Sequence, residues 1–527
     1  MAPFYAHTFG DDRSRWELLD AHLHEVAQLA SKYASAFDAA DWGRLAGLWH
    51  DLGKYQDKFQ RRIRGERIQV PHAGIGAAFA WSLSPADALP LAFAIAGHHT
   101  GLSNWEDSQR GPTPLRPTIG SNELALRGLI EEAASGFLPQ SLPLLRHRIV
   151  DPDPGSGRRS IAFFTRMLFS ALVDADRIAT EGFYNRSEGR EARSSKLVYD
   201  TLNELSARLD AYIDQMSLAA EHSAVNVLRR RVLHACCESA NELPGLFSLT
   251  VPTGGGKTLS SMSFALRHAV KHGLQRVIVV IPFTSIIEQN ALRYREAFAK
   301  NGVVDHWNVL EHHSAIDERR AMATNAEAEV RRQLAAENWD APVIVTTTVQ
   351  FFESLFTNHP SRSRKLHRIA RSVVILDEVQ TLPPQFLIPI VDAIRRLTDE
   401  YHCSVMLSTA TPPALVARPD FPQGLKPPTS IINDVNGLFK EKAARRVCTT
   451  WRIDAILPYS ELAVELSEHS QVLAIVHRRE DARKLTELLP ERGRFHLSAL
   501  MCPAHRLRVV EAVKRRLCER KLCRLVS

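Results

Sequence analysis

Leu48-Trp49-His50-Asp51-Leu52-Gly53-Lys54 is the stretch on which the reading of the first half of the chain turns. An apolar run delivers an adjacent His and Asp just ahead of a Gly, where a helix should end. A neutral imidazole and an ionised carboxylate offer a divalent cation one nitrogen and one oxygen, and Lys54 adds a charge able to face a phosphate. Taken alone, the pair equally describes a solvated helix end. Its company argues otherwise: His22, His72, His98, His99 and Asp174 recur in the same half, each on an otherwise apolar segment with helical spacing.

Working outward from that stretch, Leu18, His22, Val26, Leu29 and Tyr33 share one helical face, so His22 points with the apolar side. Leu45 and Leu48 lead into His50-Asp51. Pro71 makes a turn and His72 opens a helix from Ala73 to Trp81, while Leu89 to Ala96 leads to Gly97-His98-His99. Phe163 to Val173 runs into Asp174-Ala175-Asp176-Arg177, where the two carboxylates point to different helix faces and at most one is a ligand. Asp151 to Arg159 reads as a loop. Together these residues suit a helical bundle whose core mouth holds one or two metal ions. Imidazoles with carboxylates suit manganese, iron, cobalt, nickel or zinc better than calcium. Two such ions about 3.5–4 Å apart are the usual arrangement for phosphodiester hydrolysis.

Composition sets the outer limits. A chain of 527 residues, 45% hydrophobic and 24% charged, has room for about three globular domains. Its net charge of +7 favours a polyanionic partner. The N-terminus lacks a secretory pattern and no apolar run would span a bilayer. Seven cysteines without a CxxC spacing read as reduced thiols, which argues against a disulfide frame or a zinc site and for a cytoplasmic location.

From about residue 216 the texture changes to short β-branched runs alternating with amphipathic helices, the mark of a parallel sheet. Leu246 to Val251 reads as a strand feeding Pro252-Thr253-Gly254-Gly255-Gly256-Lys257-Thr258, then a helix closed by Gly273. Strand, glycine loop and helix in that order form a phosphate cradle. Backbone amides grip the phosphates, Lys257 neutralises the β/γ oxygens and Thr258 holds Mg²⁺. Val373 to Leu376 ends in Asp377-Glu378-Val379-Gln380, which places Asp377 in the Mg²⁺ shell and Glu378 on the attacking water. Thr284-Ser285, Thr346-Thr347-Thr348 and Ser408-Thr409-Ala410-Thr411 follow other strands, where hydroxyls bond nucleic-acid phosphates or cap helices.

Gly-Gly-Gly-Lys-Thr, Asp-Glu-Val-Gln and Ser-Thr-Ala-Thr resemble motifs I, II and III of superfamily 2 helicases, and the N-terminal His/Asp set looks like that of an HD nuclease. Joined in this order, the halves resemble the type I CRISPR-associated helicase-nuclease. Ile281-Pro282-Phe283-Thr284-Ser285-Ile286-Ile287 and the run His496 to Arg506 are similar to its subtype C branch. The resemblance implies a metal-dependent endo- and exonuclease on single-stranded DNA and a 3′-to-5′ ATP-driven motor. Its partners would be the Cascade surveillance complex with CRISPR RNA and target DNA, and no membrane. Carried over by position, His22, His50, Asp51, His72, His98, His99 and Asp174 become metal ligands, Lys54 a phosphate-facing cation, and Asn226 and Arg229 part of the adenine side. At His72 the family often has an Asp before the His, where Pro71 stands here.

The expected organisation is therefore an all-α HD bundle over residues 1–215, a RecA-like α/β lobe over 216–440 and an incomplete second lobe over 441–527. The second lobe should start its sheet near Gln471. The family would continue past Ser527 into motifs V and VI with their arginine fingers, each worth roughly 10³–10⁵ in rate, so the sequence leads to an expectation of ATP binding with poor hydrolysis. Two other readings compete: an HD phosphohydrolase of nucleotides with a regulatory ATP-binding half, and a non-catalytic ATP- and DNA-binding subunit.

Overall fold

The computed structural model describes residues 3–527 except 86, 107–110, 133–141, 143–153, 194–196, 305, 314–332, 411–414, 442–447, 449, 454–455 and 499. Thr411 and Ala499, which belong to two of the motif runs above, lie outside the described residues, as do residues 151–153 of the expected loop.

The N-terminal half opens with a short antiparallel hairpin, β1 (Tyr5–His7) and β2 (Glu17–Leu18). Helices α1 (Leu19–Ala34), α2 (Ala40–Trp49), α3 (Asp57–Ile63), α4 (Ala73–Leu83), α5 (Leu89–Gly97), α6 (Leu115–Glu132) and α7 (Pro154–Glu188) follow. The loop expected through Arg159 is instead helical from Pro154, a residue whose fixed φ suits a helix's first position. In α1, Leu19, Leu23, Val26, Ala27, Ala30 and Ala34 are buried at helical spacing, with His22 among them. The seam between α1 and α2 is built from small residues. A Cβ on Gly47 would stand 2.4 Å from Ala27 Cα and one on Gly43 2.3 Å from the Ala30 carbonyl oxygen. Only glycine permits that approach, and it brings the His22 and His50 rings to 5.5 Å.

Helices α8 (Leu202–Ala219) and α9 (Ala224–Ser239) lead into a seven-stranded sheet. A capping box, in which Thr201 and Glu204 satisfy each other's main-chain N–H groups, starts α8. Leu205 and Leu209 of α8 are packed in the same core as Phe247 and Leu249 of the sheet, so this helix is part of the sheet's covering layer. The strands are β3 (Leu246–Thr250), β4 (Arg276–Ile281), β5 (Val309–His312), β6 (Val343–Thr347), β7 (Ser372–Asp377), β8 (Ser404–Thr409) and β9 (Thr429–Ser430), in the order β5-β6-β4-β7-β8-β3-β9, all parallel. Helices α10 (Lys257–His272), α11 (Thr284–Ala297), α12 (Thr348–Phe356), α13 (Pro360–Ser363) and α14 (Leu387–Asp399) lie between them in the chain, and α15 (Val435–Lys440) follows β9.

Alternation along each strand sends side chains into two cores. Val277, Val279 and Ile281 face one, with Val373 and Ile375. Ile278, Val280, Val374 and Leu376 face the other, which is continuous with the core of the helical half. This shared core makes residues 1–446 one compact unit. Residues 447–527 form a second, with α16 (Tyr459–Glu468), β10 (Gln471–Ala474), α17 (Arg479–Leu488), β11 (Arg494–His496), α18 (Pro503–Cys518) and β12 (Cys523–Val526) around a parallel β10-β12-β11 sheet. Among the described residues, no helix is long and apolar enough to cross a membrane.

Candidate active site and nucleotide cleft

The helical half gathers its ligands at helix ends. His50 is the C-cap of α2, His98 the C-cap of α5 and His72 the N-cap of α4, while His22 lies in the first turn of α1. The centre of the cluster is Asp51, 1% exposed. Its Oδ2 lies 3.3 Å from His50 Nε2 and 3.8 Å from His22 Nε2; its Oδ1 lies 3.5 Å from both His72 Nε2 and His98 Nε2. His99 Nε2 completes the second group, 3.0 Å from His72 Nε2. Each carboxylate oxygen thus faces its own set of imidazoles.

Asp174 is not part of this cluster. Its fully buried carboxylate accepts from Arg364 Nε at 2.8 Å and from Asn338 Nδ2 at 3.1 Å, both on the sheet-bearing side. The cluster's second carboxylate is Asp176, whose Oδ1 lies 3.5 Å from His22 Nε2 and 3.7 Å from His50 Nε2. Two residues along a helix are about 200° apart. Ser170 and Asp174 therefore face residues 363–367, while Asp176, Thr180 and Phe183 face α1 and the N-terminal hairpin. The sequence signal was present in the neighbours of Asp176, but only the packing tells which face meets His22. Glu17 and His7, on the hairpin, carry no motif signal in the sequence, yet Glu17 Oε2 is 3.2 Å from His22 Nδ1 and 3.9 Å from His7 Nε2.

Lys54 is buried too. Its Nζ sits 2.6 Å from Asp51 Oδ2 and 3.5 Å from the Ala6 carbonyl, so it meets the carboxylate rather than open solvent. Burial opposes charge throughout this site, and the outcome depends on partners. His50 is lifted to about 10 despite its burial because Asp51 and Asp176 face it. His22 is raised against the same penalty by Asp176 and Glu17. Asp51 is held well below the carboxylate range, against burial, by Lys54 and His50; Asp176 is held there by His22 and His50. At the rim burial prevails: His72 is lowered and His99 falls to about 3.

A divalent cation fits this donor set. His22 Nε2, His50 Nε2, His98 Nε2 and Asp51 Oδ1 are all buried without a hydrogen-bond partner, although an orphaned buried polar atom is costly. The opposite nitrogens of two of these rings are committed: His50 Nδ1 contacts the Gly47 carbonyl at 2.7 Å and His98 Nδ1 that of Ile95 at 2.6 Å. Imidazoles locked from behind with free nitrogens converging on a carboxylate are what a transition metal requires. Metal binding takes the neutral imidazole, so an ion entering here competes with protons for these nitrogens.

In the other half, Lys257 Nζ contacts Glu378 Oε1 at 3.1 Å, Ser408 Oγ donates to Asp377 Oδ1 at 2.9 Å and Thr409 Oγ1 to Gln380 Oε1 at 2.7 Å. The three motif runs thus meet at the carboxyl ends of β3, β7 and β8. Glu378 adopts a left-handed backbone, φ +49°, and burial is outweighed there by Gln380 and Lys257, which hold the carboxyl low. Asp377 shifts up because burial dominates over Lys257. Arg229 ties the glycine loop to α9, donating from Nε to the Gly254 carbonyl at 3.0 Å and from Nη1 to Asn226 Oδ1 at 3.1 Å. A cleft of about 550 Å³ opens beside them, lined by Asn226, Arg229, Lys257, Thr258, Asn290 and Arg293. Thr253 and Gly254 are exposed, Gly255 is buried, and Gly256 caps α10.

The HD domain family matches residues 19–134 and the DEAD/DEAH box helicase family residues 228–418. A CRISPR-associated nuclease/helicase Cas3 from Haloferax volcanii is 25% identical over 431 residues, covering 71% of this chain and 46% of that protein. The chain is a type I Cas3-like HD–helicase fusion. It spans about half the length of that curated relative. In fold, this HD–helicase fusion is similar to the crystal structure of T. fusca Cas3, with a TM-score of 0.61 at 16% identity over 99% of this chain and 69% of that one. A chain in a CRISPR RNA-guided surveillance complex, pre-nicking, gives a TM-score of 0.53 at 15% identity, covering 100% of this chain and 67% of that one.

Proposed function

We propose that this chain acts in CRISPR interference as a metal-dependent nuclease on single-stranded DNA, joined to an ATP-binding lobe of a 3′-to-5′ DNA motor, in the cytoplasm. Its partner would be a Cascade complex carrying CRISPR RNA on target DNA. The observation that carries this reading is the division of Asp51: its two oxygens are directed at two groups of imidazoles, and the Nε2 atoms of His22, His50 and His98 among them have no hydrogen-bond partner. His22, His50 and Asp176 would hold one ion, His72, His98 and His99 a second, with Asp51 shared between them. Manganese, cobalt, nickel or iron suits such donors, and bound there it supplies Lewis acidity for phosphodiester hydrolysis.

The chain's own residues shape the rest. Lys54 keeps Asp51 ionised by direct contact. His99 is exposed and His72 half-buried, whereas His22, His50 and His98 are sealed, so the substrate phosphate approaches past the His72–His99 rim. In the second half, Thr253, Gly254, Gly255, Gly256, Lys257 and Thr258 would cradle the ATP phosphates, Asp377 would hold Mg²⁺ and Glu378 would orient water. Asn226 and Arg229 would contact the nucleobase side.

The test is cutting of circular single-stranded DNA with Mn²⁺ or Co²⁺. Wild type should cut, and His50→Ala and Asp51→Ala should abolish cutting. Full activity in either variant overturns the nuclease reading. Phosphate release from free nucleotides with DNA untouched would select a nucleotide phosphohydrolase instead.

A further inference from the structure

The three sealed imidazoles of the metal cluster are not held alike. His50 and His98 sit at helix C-termini, where the carbonyl three residues back is in reach of Nδ1. His22 has no such recourse. It stands in the first turn of α1, where the nearby carbonyls enter the helix's own i-to-i+4 ladder. We propose that Glu17 replaces them: it is a positioning residue whose carboxylate accepts the Nδ1–H of His22 and keeps Nε2 turned toward Asp51 and Asp176.

The placement supports this. Glu17 is 7% exposed, its Oε2 lies 3.2 Å from His22 Nδ1, and neither atom makes a hydrogen bond elsewhere. Their 3.2 Å separation lies at the outer edge of N–H···O hydrogen-bond distances. The opposite nitrogen of the same ring lies 3.5 Å from Asp176 Oδ1 and 3.8 Å from Asp51 Oδ2, so Glu17 is on the far side of the imidazole from the cluster. In a further ion site shared by His7, Glu17 and His22, His22 would have to bind through both nitrogens as an imidazolate. As an acceptor Glu17 needs only the ordinary neutral ring.

The hairpin is anchored so as to hold this carboxylate in place. His7 pairs with Glu17 across β1 and β2, and Gln60 clasps Tyr5 through two hydrogen bonds of 3.0 Å. The Leu19 N–H donates to the Phe4 carbonyl at 2.9 Å. The His7 ring meets the His22 ring edge-on at 5.0 Å and stacks on Phe183. A carboxylate behind a ligating histidine fixes its tautomer and raises the basicity of the other nitrogen; losing such a partner typically costs about 10–100-fold in metal affinity.

This inference rests on the proposed metal site, and the experiment separates the two. The full chain is titrated with Co²⁺, following the visible d–d absorption and the bound stoichiometry, with thermal unfolding of each metal-free variant alongside. Glu17→Ala should weaken Co²⁺ binding about 10–100-fold, shift the d–d band and leave the stoichiometry unchanged. Glu17→Gln, nearly isosteric and able to accept the same proton, should lie between Ala and wild type, and it secures the test if Glu17→Ala does not fold. Wild-type affinity and spectrum in Glu17→Gln and Glu17→Ala overturn the positioning role. Loss of one equivalent of Co²⁺, with the remainder bound as before, also overturns it and makes Glu17 a ligand. A wild-type chain that takes up no Co²⁺ overturns the metal-site reading, and this inference with it.

Discussion

Removing Arg364 tests whether Asp174 is a structural counter-ion and not a metal ligand. Arg364 is 5% exposed; its Nε donates to Asp174 Oδ1 at 2.8 Å and its Nη1 to Glu337 Oε2 at 2.9 Å. Asp174 is wholly buried, with Asn338 Nδ2 at 3.1 Å as its other donor. Deleting one member of a buried pair strands the other charge, at a cost of about 3–5 kcal/mol. Because Asn338 keeps one oxygen partnered, Arg364→Met should fall near the lower end, about 3 kcal/mol. Native-state hydrogen exchange of the α7 amides reads this directly: opening should become about 10²-fold more frequent, at 1.4 kcal/mol per factor of ten. The double variant Asp174→Asn with Arg364→Met should cost less than the sum of the single changes by about 1–2 kcal/mol, since the stranded charge is gone. Additive costs, or α7 exchange unchanged in Arg364→Met, would refute the reasoning and free Asp174 for another role.

Asp176→Asn should weaken Mn²⁺ binding by more than the roughly 10–100-fold that outer partners contribute, while Asp174→Asn leaves it nearly intact; calorimetric titration of both variants decides, and equal losses would contradict the geometry. Gly76→Ala should lower the thermal midpoint, because its Cβ would stand 1.9 Å from the Trp49 carbonyl oxygen, an overpacking that typically costs about 1–3 kcal/mol; an unchanged midpoint would show that α4 yields freely. His268 is pushed down to about 4 by burial, below an ordinary 6.5. The unfolded chain therefore takes up this proton first. The stability that neutral His268 confers is complete above pH 6.5 and drains as pH falls toward 4. Urea midpoints at pH 7 and pH 4.5 should converge more closely in His268→Gln than in wild type, and parallel losses would remove His268 from the explanation.

Features encoded locally were legible before any folding was known. The strand, glycine loop and helix around Lys257 are contiguous in the chain, and so is the strand that carries Asp377 and Glu378. His50 and His98 could be placed at helix ends because apolar spacing and the following residues mark where a helix stops. The long helix through Asp174 and Asp176 was equally plain as a helix. Its start at Pro154 is not legible, because the prolines and glycines of residues 151–157 are turn formers and helix openers alike, proline being fit for a first helical turn.

The sequence alone determined which residue types could bind metal and nucleotide, and that imidazoles would be delivered at the ends of apolar helices. Tertiary structure decided which of them meet. Helical period separates Asp174 from Asp176 by about 200°, yet nothing local says that one side of α7 rests on α1 and the other on residues 363–367. The same holds for Glu17, whose value lies in a 3.2 Å approach to a ring on the next element. Local pattern fixes direction relative to a helix axis; the identity of whatever lies in that direction is set by long-range packing.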